Sequence, residues 1–172
     1  MAMALIACAP RGPQDPLAGL PGYRDRTVPI ASAALFDPVR FAGTWHEVAR
    51  FPVPFQSGCS GVTMQFGPGE GGLTVASTCI TGQGQTSLTG TAALVGPGRL
   101  MVQFPDTPFV AENYWVLWVD ESYRTAVIGT PDGRAGWILN RDPAIPQDRL
   151  AAAREILDFN GYDLGQLVLT GG

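Results

Sequence analysis

Charge is scarce in this chain: 15% of its 172 residues are Asp, Glu, Lys or Arg, and histidine occurs once. A net charge of −4 leaves no basic stripe to hold nucleic acid. It gives no general attraction to anionic membrane surfaces either. No apolar run approaches the roughly 20 residues of a spanning helix. The lone His46 lacks ligand spacing to Cys59 or Cys79, so no metal site is assigned. The hydroxyl residues form no Ser–His–Asp arrangement, and no Gly-rich phosphate loop is present. No catalytic residue and no cofactor are therefore assigned. There is no internal repeat, and the length suits one folded domain.

What the chain has in quantity is turn-forming residues, with Gly 22 and Pro 15. Between them lie short apolar-alternating runs, read as strands at about 43–51, 60–67, 72–80, 85–95, 98–104, 112–120, 123–130 and 135–141. Eight such strands joined in sequence predict an all-β, up-and-down antiparallel barrel. A helix is expected from Pro146 to about Phe159, with Leu150, Ala153, Ile156 and Leu157 as its apolar stripe and Asn160-Gly161 as its stop. That stripe should pack on the outside of the barrel. Leu167, Val168 and Leu169 are candidates for a short final strand.

Gly43-Thr44-Trp45 opens the first strand, Tyr114-Trp115-Val116-Leu117-Trp118-Val119-Asp120 with Tyr123 follows, and Trp137-Ile138-Leu139-Asn140-Arg141 closes the series. In this order the segments resemble the three signature regions of the lipocalins, above all the bacterial outer-membrane lipocalins and their apolipoprotein D-type relatives. The likeness runs from about Phe36 to Thr170 and includes Gly161-Tyr162-Asp163. It implies a barrel shut at one end by Gly43, Trp45 and Arg141, with the guanidinium over the indole. It also implies a lid at about 52–59 beside an open mouth. Asp120 and Tyr123 are read as organisers of a hairpin, and His46 as an outward residue.

An eight-stranded barrel holds packed side chains or one small ligand. Arg141 at the closed end puts Trp137 and Leu139 inward by the two-residue period. In the sixth strand the face of Tyr114, Val116 and Trp118 is taken as inward, and Met64, Phe66 and Met101 complete the expected lining. Glu47 shares the face of Trp45, so its carboxylate needs a partner: an arginine near the closed end, or a role as polar floor. Arg50 and Glu112 fall nearer the mouth. The other apolar face of the sixth strand could be covered by the helix or support a homodimer.

Leu5-Ile6-Ala7-Cys8 resembles a bacterial lipobox, whose Cys is lipidated, although no basic residue precedes it. On that reading residues 1–8 are a signal remnant, 9–34 a flexible Pro- and Gly-rich tether, and 35–172 the barrel domain. The alternative is a cytoplasmic chain with an unstructured leader. Cys59 and Cys79 flank the hairpin around Gly69, and a cross-strand disulfide between them suits an oxidising periplasm. Direct pairing sets Val62 and Met64 against the face of Leu73 and Val75 unless one strand carries a bulge. Two free buried thiols are the other reading.

The resemblance implies a periplasm-facing lipid carrier, anchored in the bacterial outer membrane, that takes a fatty acid or lysophospholipid in membrane maintenance. A tetrapyrrole or other apolar pigment, or a filled structural barrel, are the alternatives.

Overall fold

The computed structural model describes residues 18–107 and 112–170. The strands are β1 (Gly43–Arg50), β2 (Gly61–Gly69), β3 (Gly72–Thr81), β4 (Gly84–Gly96), β5 (Arg99–Gln103), β6 (Glu112–Val119), β7 (Thr125–Gly129) and β8 (Gly136–Asn140). Each pairs antiparallel with the next, and β1 pairs with both β2 and β8, so the sheet closes. A one-turn helix, α1 (Pro38–Phe41), precedes β1, and α2 (Gln147–Phe159) and a two-residue strand, β9 (Val168–Leu169), follow β8. The eight-stranded barrel with one helix outside is thus as the alternation predicts. The up-and-down order sends four loops, β1–β2, β3–β4, β5–β6 and β7–β8, to one end, which forms the mouth.

Two apolar clusters divide the molecule. One fills the barrel from Phe41 and Trp45 up to Trp137. The other lies outside, where Ala153 and Leu157 of α2 meet Val127, Ile138 and Leu117 of the barrel wall. Pro146 sits at the cap position of α2, one residue before the helix. At the other end Gly161 takes a φ of +83°, which a Cβ would strain, and its N–H and that of Tyr162 bond back to Asp158 and Leu157. Burial pushes the Tyr162 phenol up to about 12. Its hydroxyl is shared between the carbonyls of Ala135 (2.9 Å) and Thr130 (3.1 Å) and accepts the Thr130 N–H (2.9 Å).

The expected tether is corrected in its second half. Residues 1–17, with Cys8, lie outside the described residues, but 18–34 are laid against the barrel. Tyr23 is buried, donates its hydroxyl to Pro52 O at 2.7 Å and its N–H to Gly133 O at 2.6 Å. Arg24 is buried too and donates to Asn160 O (2.9 Å) and Pro131 O (3.0 Å), while Ala33 N reaches Val116 O (2.8 Å). A few ordered side chains outweigh the segment's Pro- and Gly-rich composition.

The outer face of β6 is likewise occupied from within the chain. Trp115, Leu117 and Trp118 pack in the outer cluster with α2 and Ile30, and Arg99 lies 4.2 Å above the Trp115 ring. This covers the surface that had suggested a homodimer.

Candidate ligand-binding calyx

The closed end is built from three residues foreseen and several that were not. The Arg141 guanidinium stands 3.8 Å above the Trp45 ring and donates to the carbonyls of Tyr123 (3.1 Å), Thr44 (3.0 Å), Arg40 (2.9 Å) and Ala42 (2.9 Å). Trp45 Nε1 donates to Phe41 O at 2.8 Å. Gly43 has a φ of +106°, and a Cβ there would meet Arg141 Nη1 at 2.9 Å, so both backbone and space exclude a side chain. Asp37 caps α1 and donates its N–H to the Tyr123 hydroxyl at 2.8 Å, while Arg40 lies over the Tyr123 ring. Asp120 accepts from Arg124 N and Thr125 N, both at 2.6 Å, and so shapes the β6–β7 turn.

Above this plug the shaft is apolar. Met64, Phe66, Tyr114, Val116, Trp137 and Leu139 all belong to the inner cluster, as expected. Two expected lining residues do not. Met101 points outward, because Leu100 and Val102 take the inward places on β5. Leu100, Met101 and Val102 are all apolar, so alternation alone does not set the phase of that strand. Trp118 is outside because β6 shifts register between Val116 and Trp118, which places Leu117 and Trp118 on the same outer face. Leu73, Val75, Ala92 and Ile128 are inward residues that the period-2 reading could have supplied from their neighbours.

The lower shaft is packed solid, with Phe66, Leu100, Val116 and Ile128 almost wholly buried. The upper shaft holds a cavity of about 70 Å³, lined among others by Phe55, Met64, Val102, Phe104, Tyr114 and Trp137. The Tyr114 and Trp137 rings pack at a tilt of 44° with centroids 4.9 Å apart, and burial with the nearby Glu112 charge raises the Tyr114 phenol. Polar lining occurs at the rim, in Gln56, Ser77, Thr107 and Glu112.

One buried polar chain crosses the rim. Register shifts in β1 between Glu47 and Ala49, so Glu47 and Arg50 both face inward although three residues apart. Arg50 Nη1 donates to Glu47 Oε1 at 2.8 Å, Gln56 Nε2 to Glu47 Oε2 at 2.7 Å, and Trp137 Nε1 to Gln56 Oε1 at 3.0 Å. Arg50 Nη2 also reaches Cys59 O at 3.3 Å. Burial raises the Glu47 carboxyl above its ordinary value, against the pull of Arg50 and Gln56. The partner of Glu47 is therefore an arginine on the mouth side, not one near the closed end. Gln56 was missed, since a glutamine in a loop carries no periodic signal. His46 points away from the shaft, into an outer groove with Ile145 and Leu150.

Cys59 and Cys79 are bonded, with Cα atoms 5.4 Å apart. No bulge is needed. β2 and β3 keep unbroken register with Val62 opposite Cys79, and Cys59 reaches Cys79 from the loop before β2. The bridge ties the β1–β2 loop to the rim.

A closed up-and-down barrel, plugged at one end and apolar within, is the architecture of a small-ligand carrier. A model of the lipocalin-like domain matches residues 36–171, and the chain belongs to the lipocalins, a family that binds small hydrophobic ligands. The outer membrane lipoprotein Blc of Escherichia coli is 34% identical over 140 residues, covering 77% of each chain. Temperature-induced lipocalin-1 of Arabidopsis thaliana is 30% identical over 141 residues, covering 74% of this chain and 75% of its own. In fold, insecticyanin from the tobacco hornworm superposes with a TM-score of 0.68 at 18% identity, covering 87% of this chain and 86% of its own.

Proposed function

We propose that this lipocalin carries a single-chain amphiphile, a fatty acid or lysophospholipid, and works in membrane maintenance from the periplasmic side of the bacterial outer membrane, anchored through Cys8. The observation that carries the reading is the shaft itself: apolar to its plugged base, with polar groups gathered at the rim. Such a gradient fits an acyl chain pointing inward with its head at the mouth. Burial is worth roughly 0.8 kcal/mol per CH₂, so about a dozen methylenes give on the order of 10 kcal/mol gross, before the costs of ordering and association. The likeness to an outer membrane lipoprotein of Escherichia coli supports the location. The present cavity is smaller than such a chain, so on this reading the upper shaft widens as the chain enters.

The test is native mass spectrometry of the full chain from a bacterial periplasm, followed by identification of what denaturation releases. A stoichiometric fatty acid or lysophospholipid is the expected result. A pigment adduct would replace lipid with a coloured ligand. An empty protein that also refuses added lysolipid would leave a structural barrel, a reading the packed lower shaft favours.

A further inference from the structure

The described chain enters the fold at the mouth. Tyr23 bridges two mouth loops, through its hydroxyl to Pro52 O and its N–H to Gly133 O. Leu20 packs against the inner cluster just before it. The nine residues 9–17 that separate Cys8 from Ala18 span at most about 30 Å. An anchor at Cys8 therefore holds the mouth near the bilayer, whereas the plugged end comes close only if that segment also covers the length of the barrel.

The mouth side offers apolar surface suited to such contact. Phe55 and Leu88 are partly exposed at the rim, Ile80 is 44% exposed near the end of β3, and Phe159 at the end of α2 is 74% exposed. The plugged end has its own exposed apolar residues, Leu35 at 94% and Val39 at 82%, so exposure alone does not choose between the ends. The point of chain entry does.

We propose that the protein docks mouth-down on a phospholipid bilayer, with Phe55, Ile80, Leu88 and Phe159 as the contacting surface, so that a single-chain lipid passes between bilayer and shaft without crossing bulk water. The orientation rests on the anchoring at Cys8 proposed above.

Because Cys59 and Cys79 are bonded to each other, Cys8 is the one remaining cysteine. The purified full chain is coupled there to a maleimide-bearing phospholipid in vesicles of phosphatidylethanolamine and phosphatidylglycerol. The photocrosslinker p-benzoylphenylalanine then replaces Ile80, Phe159, Leu35 or Val39, one at a time. Ile80 and Phe159 lie outside the shaft, so they report bilayer contact and not a bound ligand. Near-UV circular dichroism checks that each variant folds. The expected result is several-fold more lipid crosslinking from Ile80 and Phe159 than from Leu35 and Val39. Equal yields, or the reverse order, would overturn the orientation while leaving the anchor intact. The mass of the Cys8 peptide from bacterial cells reads the anchor separately: without an acyl mass the anchoring falls, and the docking with it.

Discussion

Trp137 Nε1 donates to Gln56 Oε1 at 3.0 Å, a bond that joins the barrel wall to the loop over its mouth. Through the other end of its amide Gln56 holds Glu47, and Glu47 holds Arg50. Replacing Gln56 with Leu removes an acceptor from one buried group and a donor from another. The variant should lose about 2–6 kcal/mol, because each of the two orphaned buried groups costs roughly 1–3 kcal/mol. Urea denaturation measures this as a lower midpoint at unchanged slope. A midpoint equal to wild type would mean the loop is held without Gln56.

Glu47 should make stability fall as pH rises. Its carboxyl binds a proton more tightly in the folded chain than in the unfolded one, since burial outweighs the Arg50 and Gln56 contacts. The contribution is complete below the ordinary value of 4.5 and is lost as pH climbs through the raised native value. Glu47→Gln has no proton to exchange and should flatten this part of the profile. Chemical denaturation across acidic to neutral pH provides the comparison, and parallel wild-type and variant profiles would refute it.

Arg141→Lys should behave as a substantial loss, despite keeping the charge. Lysine cannot reproduce a planar fork that reaches the carbonyls of Tyr123, Thr44, Arg40 and Ala42 while lying over Trp45. The cation–π contact alone is worth about 0.5–2 kcal/mol, so a total near 2 kcal/mol or more is expected. Thermal melts give the size, and the near-UV signal of Trp45 reports the loosened plug.

Removing the bridge with Cys59→Ala and Cys79→Ala together should cost about 3 kcal/mol, the chain-entropy value for a loop of this size, given the separation of 20 residues. Comparing the double variant with the oxidised protein avoids stray thiols. If the bridge chiefly holds the mouth loop, bound lipid should also dissociate faster.

Much of the fold could be read from particular residues. Gly43, Trp45 and Arg141 mark the plug because a bend without Cβ, a large ring and a planar cation are each irreplaceable there. Strand positions followed from alternation, and the end of α2 from Asn160-Gly161. The facings of Trp118 and Arg50 share one physical cause: a β-bulge has no compositional signature. Leu117 and Val48 look like ordinary strand residues, yet each shifts its strand's facing, sending Trp118 out and bringing Arg50 in. Residues 18–34 misled because Tyr23 and Arg24 find their partners only in the tertiary structure.

Val48 acts as a half-period phase change written into the backbone. Upstream of it the odd-numbered residues of β1 face the shaft, and downstream the even-numbered Arg50 does. The ion pair at the rim thus depends on a count of residues more than on their chemistry. Exchanging Val48 for another apolar side chain preserves that count. Deleting it would take the bulge away too, leaving Arg50 two places after Glu47 and still on the shaft face. Flattening the bulge at unchanged length would instead turn Arg50 away and leave the Glu47 carboxylate with no cation from its own strand.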